Sequence, residues 1–149
     1  MINNEIKGFF GDYRWLSNFH LCDVYYKDVK YSSSENAYQA AKLHNRKDRI
    51  VLESLCPAGA KKYSKTYTKD MIRVDWVDVR LDIMREILIS KFTLNEDLKG
   101  LLISTGDKYL EETNNWRDIF WGVCDDIGQN NLGKILMNIR KELRTKSIF

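Results

Sequence analysis

From Ser34 onward almost every periodic signal in this 149-residue chain is helical, and the strand-like signals are confined to its first 33 residues. Strands gathered at one end and helices in the remainder predict an α+β fold, predominantly helical, with a small N-terminal sheet. The segment Cys22-Asp-Val-Tyr-Tyr, then Lys27-Asp28, then Val29-Lys-Tyr-Ser predicts a β-hairpin. Ser34 to about Asn45 carries Ala37, Tyr38, Ala40 and Ala41 and predicts a helix with small residues facing a neighbour. Asp48 is expected to cap a second short helix running to Leu55. Pro57, the single proline, stops it and opens a basic helix through about Lys65.

The clearest helix starts near Asp75, where Val77, Leu81, Met84 and Leu88 form a stripe widened by Trp76, Ile83 and Ile87. A shorter helix spans about Glu96 to Ser104 and stops at Gly106. The last begins at Asn130 or Asn131, with Leu132, Ile135, Leu136, Ile139 and Leu143 inward. Its final turns carry Arg140, Lys141, Arg144 and Lys146, placed to suit the helix dipole. No repeat and no linker divides the sequence, so residues 1–149 are expected to form a single domain.

Composition excludes several classes. With 30% charged and 44% hydrophobic residues the chain is neither disordered nor fibrous. The net charge of +3 permits an anionic ligand without demanding a nucleic-acid scaffold. Cys22, Cys56 and Cys124 are odd in number and contain no C-x-x-C pair, so neither a disulfide framework nor a zinc site is expected. A reduced, cytoplasmic protein follows. Met1-Ile-Asn-Asn-Glu-Ile-Lys has no apolar stretch resembling a signal peptide. No apolar run approaches the ~18 residues of a membrane span, so no membrane partner is expected. His20 and His44 are the only histidines, too few for a histidine metal centre or a Ser-His-Asp triad.

Four segments carry candidate chemistry. Phe9 to Phe19 holds five aromatics in eleven residues, interleaved with Asp12, Arg14 and Asn18; these rings either stack a planar ligand or pack under a loop. Glu35, Gln39 and Lys42 fall at i, i+4 and i+7, on one helical face. A carboxylate, an amide and an ammonium so arranged can hold a water and an anion. The plainer alternative makes Ser32-x-x-Glu35 a capping box and leaves Lys42 in solvent. In Trp116-Arg-Asp118-Ile-Phe-Trp121-Gly122 a carboxylate sits beside a Trp-Gly turn, where glycine lets a ligand approach the backbone; alternatively Asp118 caps a turn around a buried tryptophan. Gly128 to Lys134 nearly spells a P-loop, but Ile135 replaces the hydroxyl that holds magnesium, which leaves only a helix start near Asn130 able to bind an anion.

Taken in order, these residues resemble the NADAR, or YbiA-like, family of N-glycosidases. The matching stretches are Leu16-Ser17-Asn18-Phe19, Glu35-x-x-Tyr38-Gln39-x-x-Lys42, Arg73-x-Asp75-Trp76 and Met84-x-x-x-Leu88-x-x-Lys91-Phe92. Leu101-Leu102-x-x-Thr105-Gly106, Asp118-x-x-Trp121-Gly122 and Gly128-x-Asn130-x-Leu132-Gly133-x-x-Leu136-Met137-x-x-Arg140 complete the set. The resemblance implies hydrolysis of the C1–N bond of a ribosylated base. The base is either an aminopyrimidine ribosyl phosphate of the riboflavin pathway or ADP-ribosylated guanine. It implies Glu35 and Asp118 as the acidic groups, with Trp76, Trp121 and Asn18 lining the site.

Breaking such a bond builds oxocarbenium character on the sugar, and a carboxylate near C1 can either stabilise that cation or activate water. Glu35 is the residue assigned to that role, with Asp118 orienting the ribose or the leaving ring. Phe19 and its neighbours, with Trp76 or Trp121, would stack the base beside Gly122. Gln39 joins Glu35, and Lys42, Arg14 and the helix start at Asn130 are phosphate-clamp candidates. No cofactor and no metal is called for. The expected partner is a small phosphorylated ribosyl ligand or an ADP-ribosylated nucleobase, with nucleic-acid contact open through Lys61, Lys62, Lys65 and Lys69. The alternative is a non-catalytic ADP-ribose-binding module in which Glu35 is dispensable.

Overall fold

The computed structural model describes residues 4–146, so the first three residues of the N-terminal stretch read above lie outside the described residues. In chain order the elements are β1 (Glu5–Lys7), β2 (Val24–Tyr26), β3 (Val29–Tyr31), α1 (Ser34–Ala41) and α2 (Arg46–Arg49). There follow α3 (Pro57–Ser64), α4 (Trp76–Leu94), α5 (Glu96–Ser104), β4 (Tyr109–Glu111) and α6 (Asn131–Lys146). Short 3₁₀ turns occupy Gly11–Leu16, Ile50–Glu53 and Lys69–Met71. The α+β class, mostly helical with little sheet, is the one the sequence predicts. The elements gather into two compact units, Asn18–Asn95 and the pair Met1–Ser17 with Glu96–Phe149.

In the Asn18–Asn95 unit, β2 and β3 form the expected antiparallel hairpin, with Val24 opposite Tyr31 and Tyr26 opposite Val29. Lys27 and Asp28 both have positive φ, 51° and 65°, the two-residue turn whose twist matches the strands. α1 packs against α3, α4 and β2, and every one of its residues is buried. It stops at Ala41, short of the expected Asn45, because the chain turns into a bridge between Leu43 and Ile72.

Two expectations fail here for tertiary reasons. Asp48 does not cap α2: it lies inside that helix, whose N-cap position is Asn45. Beyond it the chain tightens into the 3₁₀ turn, where Asn36 Nδ2 of α1 donates to Leu52 O at 2.8 Å and Leu55 O at 2.7 Å. On α4, Val77 and Leu81 are 73% and 43% exposed, so the stripe read from them does not face a core. Burial begins a turn later with Ile83, Met84, Ile87 and Leu88, where α4 meets α1 and β2.

Lys91 on α4 is fully buried, its Nζ 5.1 Å from the Phe92 ring centroid. Burial pushes its pKa from 10.5 down to about 8, against a smaller upward pull from Cys22. Between those values the unfolded chain holds a proton that the folded chain has released, so stability rises with pH. Across that window the gain is on the order of a few kcal/mol. Lys91→Met should therefore lose this alkaline gain. Its melting temperature, set against the wild type's from pH 7 to pH 10, should fall progressively behind as pH increases; parallel profiles would contradict the shifted lysine.

In the other unit β1 and β4 pair in parallel, Ile6 opposite Leu110, a contact across about a hundred residues that no local signal announces. α5 ends where expected, with Gly106 at φ 63°. α6 packs on α5 and β4 through Leu132, Leu136, Ile139 and Leu143, while Ile135 is only half-buried. Arg140 is not a solvated dipole partner. It is buried, and its Nη1 donates to Thr105 Oγ1 at 2.9 Å and Lys108 O at 2.8 Å, fastening the end of α5 to α6.

Candidate active site

The Asn18–Asn95 unit brings six of the predicted site residues, Asn18, Phe19, Glu35, Gln39, Lys42 and Trp76, onto or around α1. The helix starts one residue later than a Ser32 cap requires. Ser33 is the N-cap: its Oγ accepts from Asn36 N at 3.1 Å and donates to Asn36 Oδ1 at 2.6 Å. The capping box read as Ser32-x-x-Glu35 is therefore absent, and Asn36 occupies the position that Glu35 would fill. Sequence reading missed Ser33 and Asn36 because three consecutive serines offer equivalent caps.

Relieved of capping, Glu35 is 7% exposed, and its backbone N–H donates to Asn18 O at 3.0 Å. Gln39, one turn on, donates from Nε2 to Glu35 Oε1 at 2.7 Å, as the i, i+4 spacing predicts. That bond fixes the amide orientation and turns Gln39 Oε1 away. Gln39 Oε1, Asn18 Oδ1 and Ser34 Oγ are all removed from solvent and meet no partner among the described residues. Asn18 Nδ2 donates to Met84 Sδ at 3.6 Å, its one partner among the described residues. Each such orphan costs about 1–3 kcal/mol unless a water or ligand group satisfies it. All three belong to residues next to Glu35 in the chain or bonded to it: Ser34 precedes it, Gln39 donates to its carboxylate, and Asn18 accepts from its backbone N–H.

Lys42 closes the helix as its C-cap. Its Nζ lies 5.1 Å from the Tyr38 ring and 6.0 Å from the Trp76 ring, and those rings stand 5.1 Å apart at 57°. Burial lowers its pKa; the nearby Glu35 carboxylate opposes that shift and Arg80 adds to it. Lys42 is thus a half-buried cation in an aromatic frame, coupled to Glu35, and not a solvated surface lysine. Tyr67 OH braces the same helix by donating to Gln39 O at 3.0 Å, a residue that sequence reading missed. Phe19 is half-buried with Lys61 Nζ 5.8 Å from its ring centroid.

The remaining predicted residues, Arg14, Asp118, Trp121, Gly122 and Asn130, belong to the other unit. Arg14 is exposed on the Gly11–Leu16 turn. Asp118 Oδ1 accepts from Phe120 N at 3.2 Å and Trp121 N at 2.9 Å, so it holds the turn that carries the tryptophan. Asn114, which no motif reveals, organises this loop: its Oδ1 accepts from Asp118 N at 3.0 Å and its Nδ2 donates to Asp118 O at 2.9 Å. Trp121 is half-buried, its ring 4.8 Å from Phe120 and edge-on to it.

Two readings need correction. Gly122 serves chain packing: a Cβ there would lie 2.1 Å from Glu112 O, so the close approach is made by this chain's own backbone. Asn130 and the first two backbone donors of α6 are already taken and are not open to an anion. Asn130 Oδ1 accepts from Glu112 N at 3.0 Å, and its Nδ2 donates to Leu110 O at 2.9 Å. The N–H groups of Asn131 and Leu132 donate to Phe120 O at 3.2 Å and Trp121 O at 3.0 Å. Satisfying the buried edge of β4 and the Trp121 turn takes precedence over ligand binding.

A helix buried on all sides thus carries a carboxylate and an amide, with an ammonium at its C-cap beside two mutually tilted rings. The NADAR domain pattern matches residues 8–144. An N-glycosidase of Nostoc punctiforme is 34% identical over 137 residues, covering 89% of this chain and 86% of that protein. N-glycosidase YbiA of Escherichia coli is 31% identical over 135 residues, covering 89% and 82%. A riboflavin biosynthesis protein of Vibrio vulnificus is 39% identical over 132 residues, which span 87% of this chain but 35% of that protein. The NMR structure of Escherichia coli YbiA superposes with a TM-score of 0.87 at 27% identity, covering 99% of this chain and 90% of that one. The chain belongs to the NADAR family.

Proposed function

We propose that the chain is an N-glycosidase, a hydrolase that cleaves the C1–N bond of a ribosylated base. The names of its relatives agree with that class: two are N-glycosidases and one is a riboflavin biosynthesis protein. The observation that carries the mechanism is Glu35, buried at 7% exposure and held by Gln39, with unpartnered buried polar atoms on Ser34, Gln39 and Asn18. Residues 1–149 act as one domain in this proposal, because a single family pattern runs through both compact units.

In the reaction the C1–N bond breaks with its electron pair leaving on the base, which takes up a proton, while water adds its oxygen to C1 and gives up a proton. Glu35 stabilises the cationic sugar and accepts the proton of the attacking water, a contribution of about 10²–10⁴-fold. Asn18 Oδ1 and Gln39 Oε1 supply acceptors for ribose hydroxyls. Tyr38 and Trp76 offer faces to the base, and Lys42 places a positive charge for the phosphate. Asp118 holds the turn that carries Trp121, and its part in the reaction goes through that turn. A cytoplasmic, reducing setting belongs to the same proposal and accords with three free cysteines.

The substrate is a small phosphorylated aminopyrimidine riboside or an ADP-ribosylated guanine. Incubating the protein with each and following base release by chromatography tests both the class and the choice. Release of free base is expected. Binding without release would return the chain to the ADP-ribose-binding alternative. A flat response of activity to salt would select the metabolite, and a steep fall would select guanine in nucleic acid, touched by Lys62, Lys65 and Lys69 on the exposed surface.

A further inference from the structure

Within the Asn18–Asn95 unit, the β2–β3 hairpin and the Arg46–Glu53 segment line a cavity of about 520 Å³ that contains none of Glu35, Gln39 or Lys42. Tyr26 and Tyr31, each 2% exposed, are its buried aromatic residues, and Val29 and Ile50 add apolar wall. Four cationic side chains line it, Lys27, Arg46, Arg49 and Arg73, against the single acid Glu53.

Those cations are unequally committed. Arg73 is spent on Asp75, with Nε–Oδ1 at 2.6 Å and Nη2–Oδ2 at 3.0 Å. Arg49 donates through Nε to Leu43 O at 2.9 Å, and its terminal amino groups make no bond among the described residues. Arg46 makes no hydrogen bond or ion pair among the described residues. Arg46 and Arg49 thus line one concavity with neither in an ion pair among the described residues, a placement that a bound anion would stabilise. Their paired N–H donors fit phosphate oxygens two at a time.

We propose that this cavity binds a phosphate-bearing small molecule of nucleotide size, its phosphate on Arg46 and Arg49 and its organic part against Val29 and Ile50. Its volume falls within the range of small-molecule sites, about 300–1,000 Å³, and well exceeds what a bare phosphate fills. A concave wall over buried tyrosines suits a discrete ligand better than a nucleic-acid backbone, which tracks along exposed charge. The site does not depend on the glycosidase reading, since none of its residues enters that chemistry. The backbone just after α1 serves both places: Lys42 O accepts from Arg73 N at 2.9 Å, and Leu43 O accepts from Arg49 Nε.

The test is calorimetric titration of the full chain with AMP, with adenosine as the phosphate-free control. AMP binding should contain a component weakened roughly tenfold or more by Arg46→Gln and retained in Glu35→Gln and Lys42→Gln. Arg46 is exposed and unbonded, so the variant should melt as the wild type does. Arg46→Glu should weaken that component further. Absence of an Arg46-dependent component overturns the proposal, whether because AMP fails to bind or because all its binding follows Lys42. So does adenosine binding equal to that of AMP, or an oligonucleotide that binds through Arg46 where AMP does not.

Discussion

Glu35→Gln is expected to lower turnover by about 100-fold or more, about 2.7 kcal/mol of barrier, with a melting temperature close to the wild type's. The substitution keeps the shape of the side chain and an oxygen to receive the 2.7 Å bond from Gln39 Nε2. It touches no helix cap, because Ser33 and Asn36 make that interaction. What it removes is the charge that an oxocarbenium-like sugar requires. Steady-state kinetics on the released base, beside thermal melts of both proteins, reads the two quantities separately. Unchanged turnover would strip Glu35 of its chemical role while leaving the fold as described.

The largest stability effect is expected at Gly133 on α6. Alanine inside a helix ordinarily gains about 1 kcal/mol over glycine. At this position a Cβ would sit 2.1 Å from Leu110 O and 2.5 Å from Asn130 Nδ2, against the edge of β4 that Asn130 already binds. Neither a strand carbonyl nor a locked amide can yield without breaking the hydrogen bonds among β4, Asn130 and α6. Gly133→Ala should therefore cost about 3 kcal/mol or more, reversing the sign that helix propensity gives. Gly100 on α5 is the control, since a Cβ there meets nothing within 4 Å and Gly100→Ala should be neutral or stabilising. Urea denaturation midpoints decide the matter: two glycines responding alike would mean that α6 does not press on β4.

Much of this was legible because it is local. The hairpin turn at Lys27-Asp28, the stop at Gly106 and the one-faced spacing of Glu35, Gln39 and Lys42 follow from backbone geometry within a few residues. The cap shifted by one residue because Ser32, Ser33 and Ser34 are chemically alike, and only the bonds from Asn36 to Leu52 and Leu55 select the middle one. Asn130 was misread for a related reason. A helix start with an asparagine suits an anion on paper, but the carbonyls of Phe120 and Trp121 arrive from elsewhere in the chain to take the donors.

By itself the sequence determined the α+β class, the order of helices, and a carboxylate, an amide and an ammonium on one helical face, since periodicity and spacing are properties of neighbours along the chain. Tertiary structure alone decided that this helix is buried on every side, and that Lys42 lies against a pair of rings. It also decided that Arg140 is a buried clamp, and that β1 finds β4. Those outcomes depend on which distant groups compete for the same donors and the same space, and that competition begins only when the chain has closed on itself.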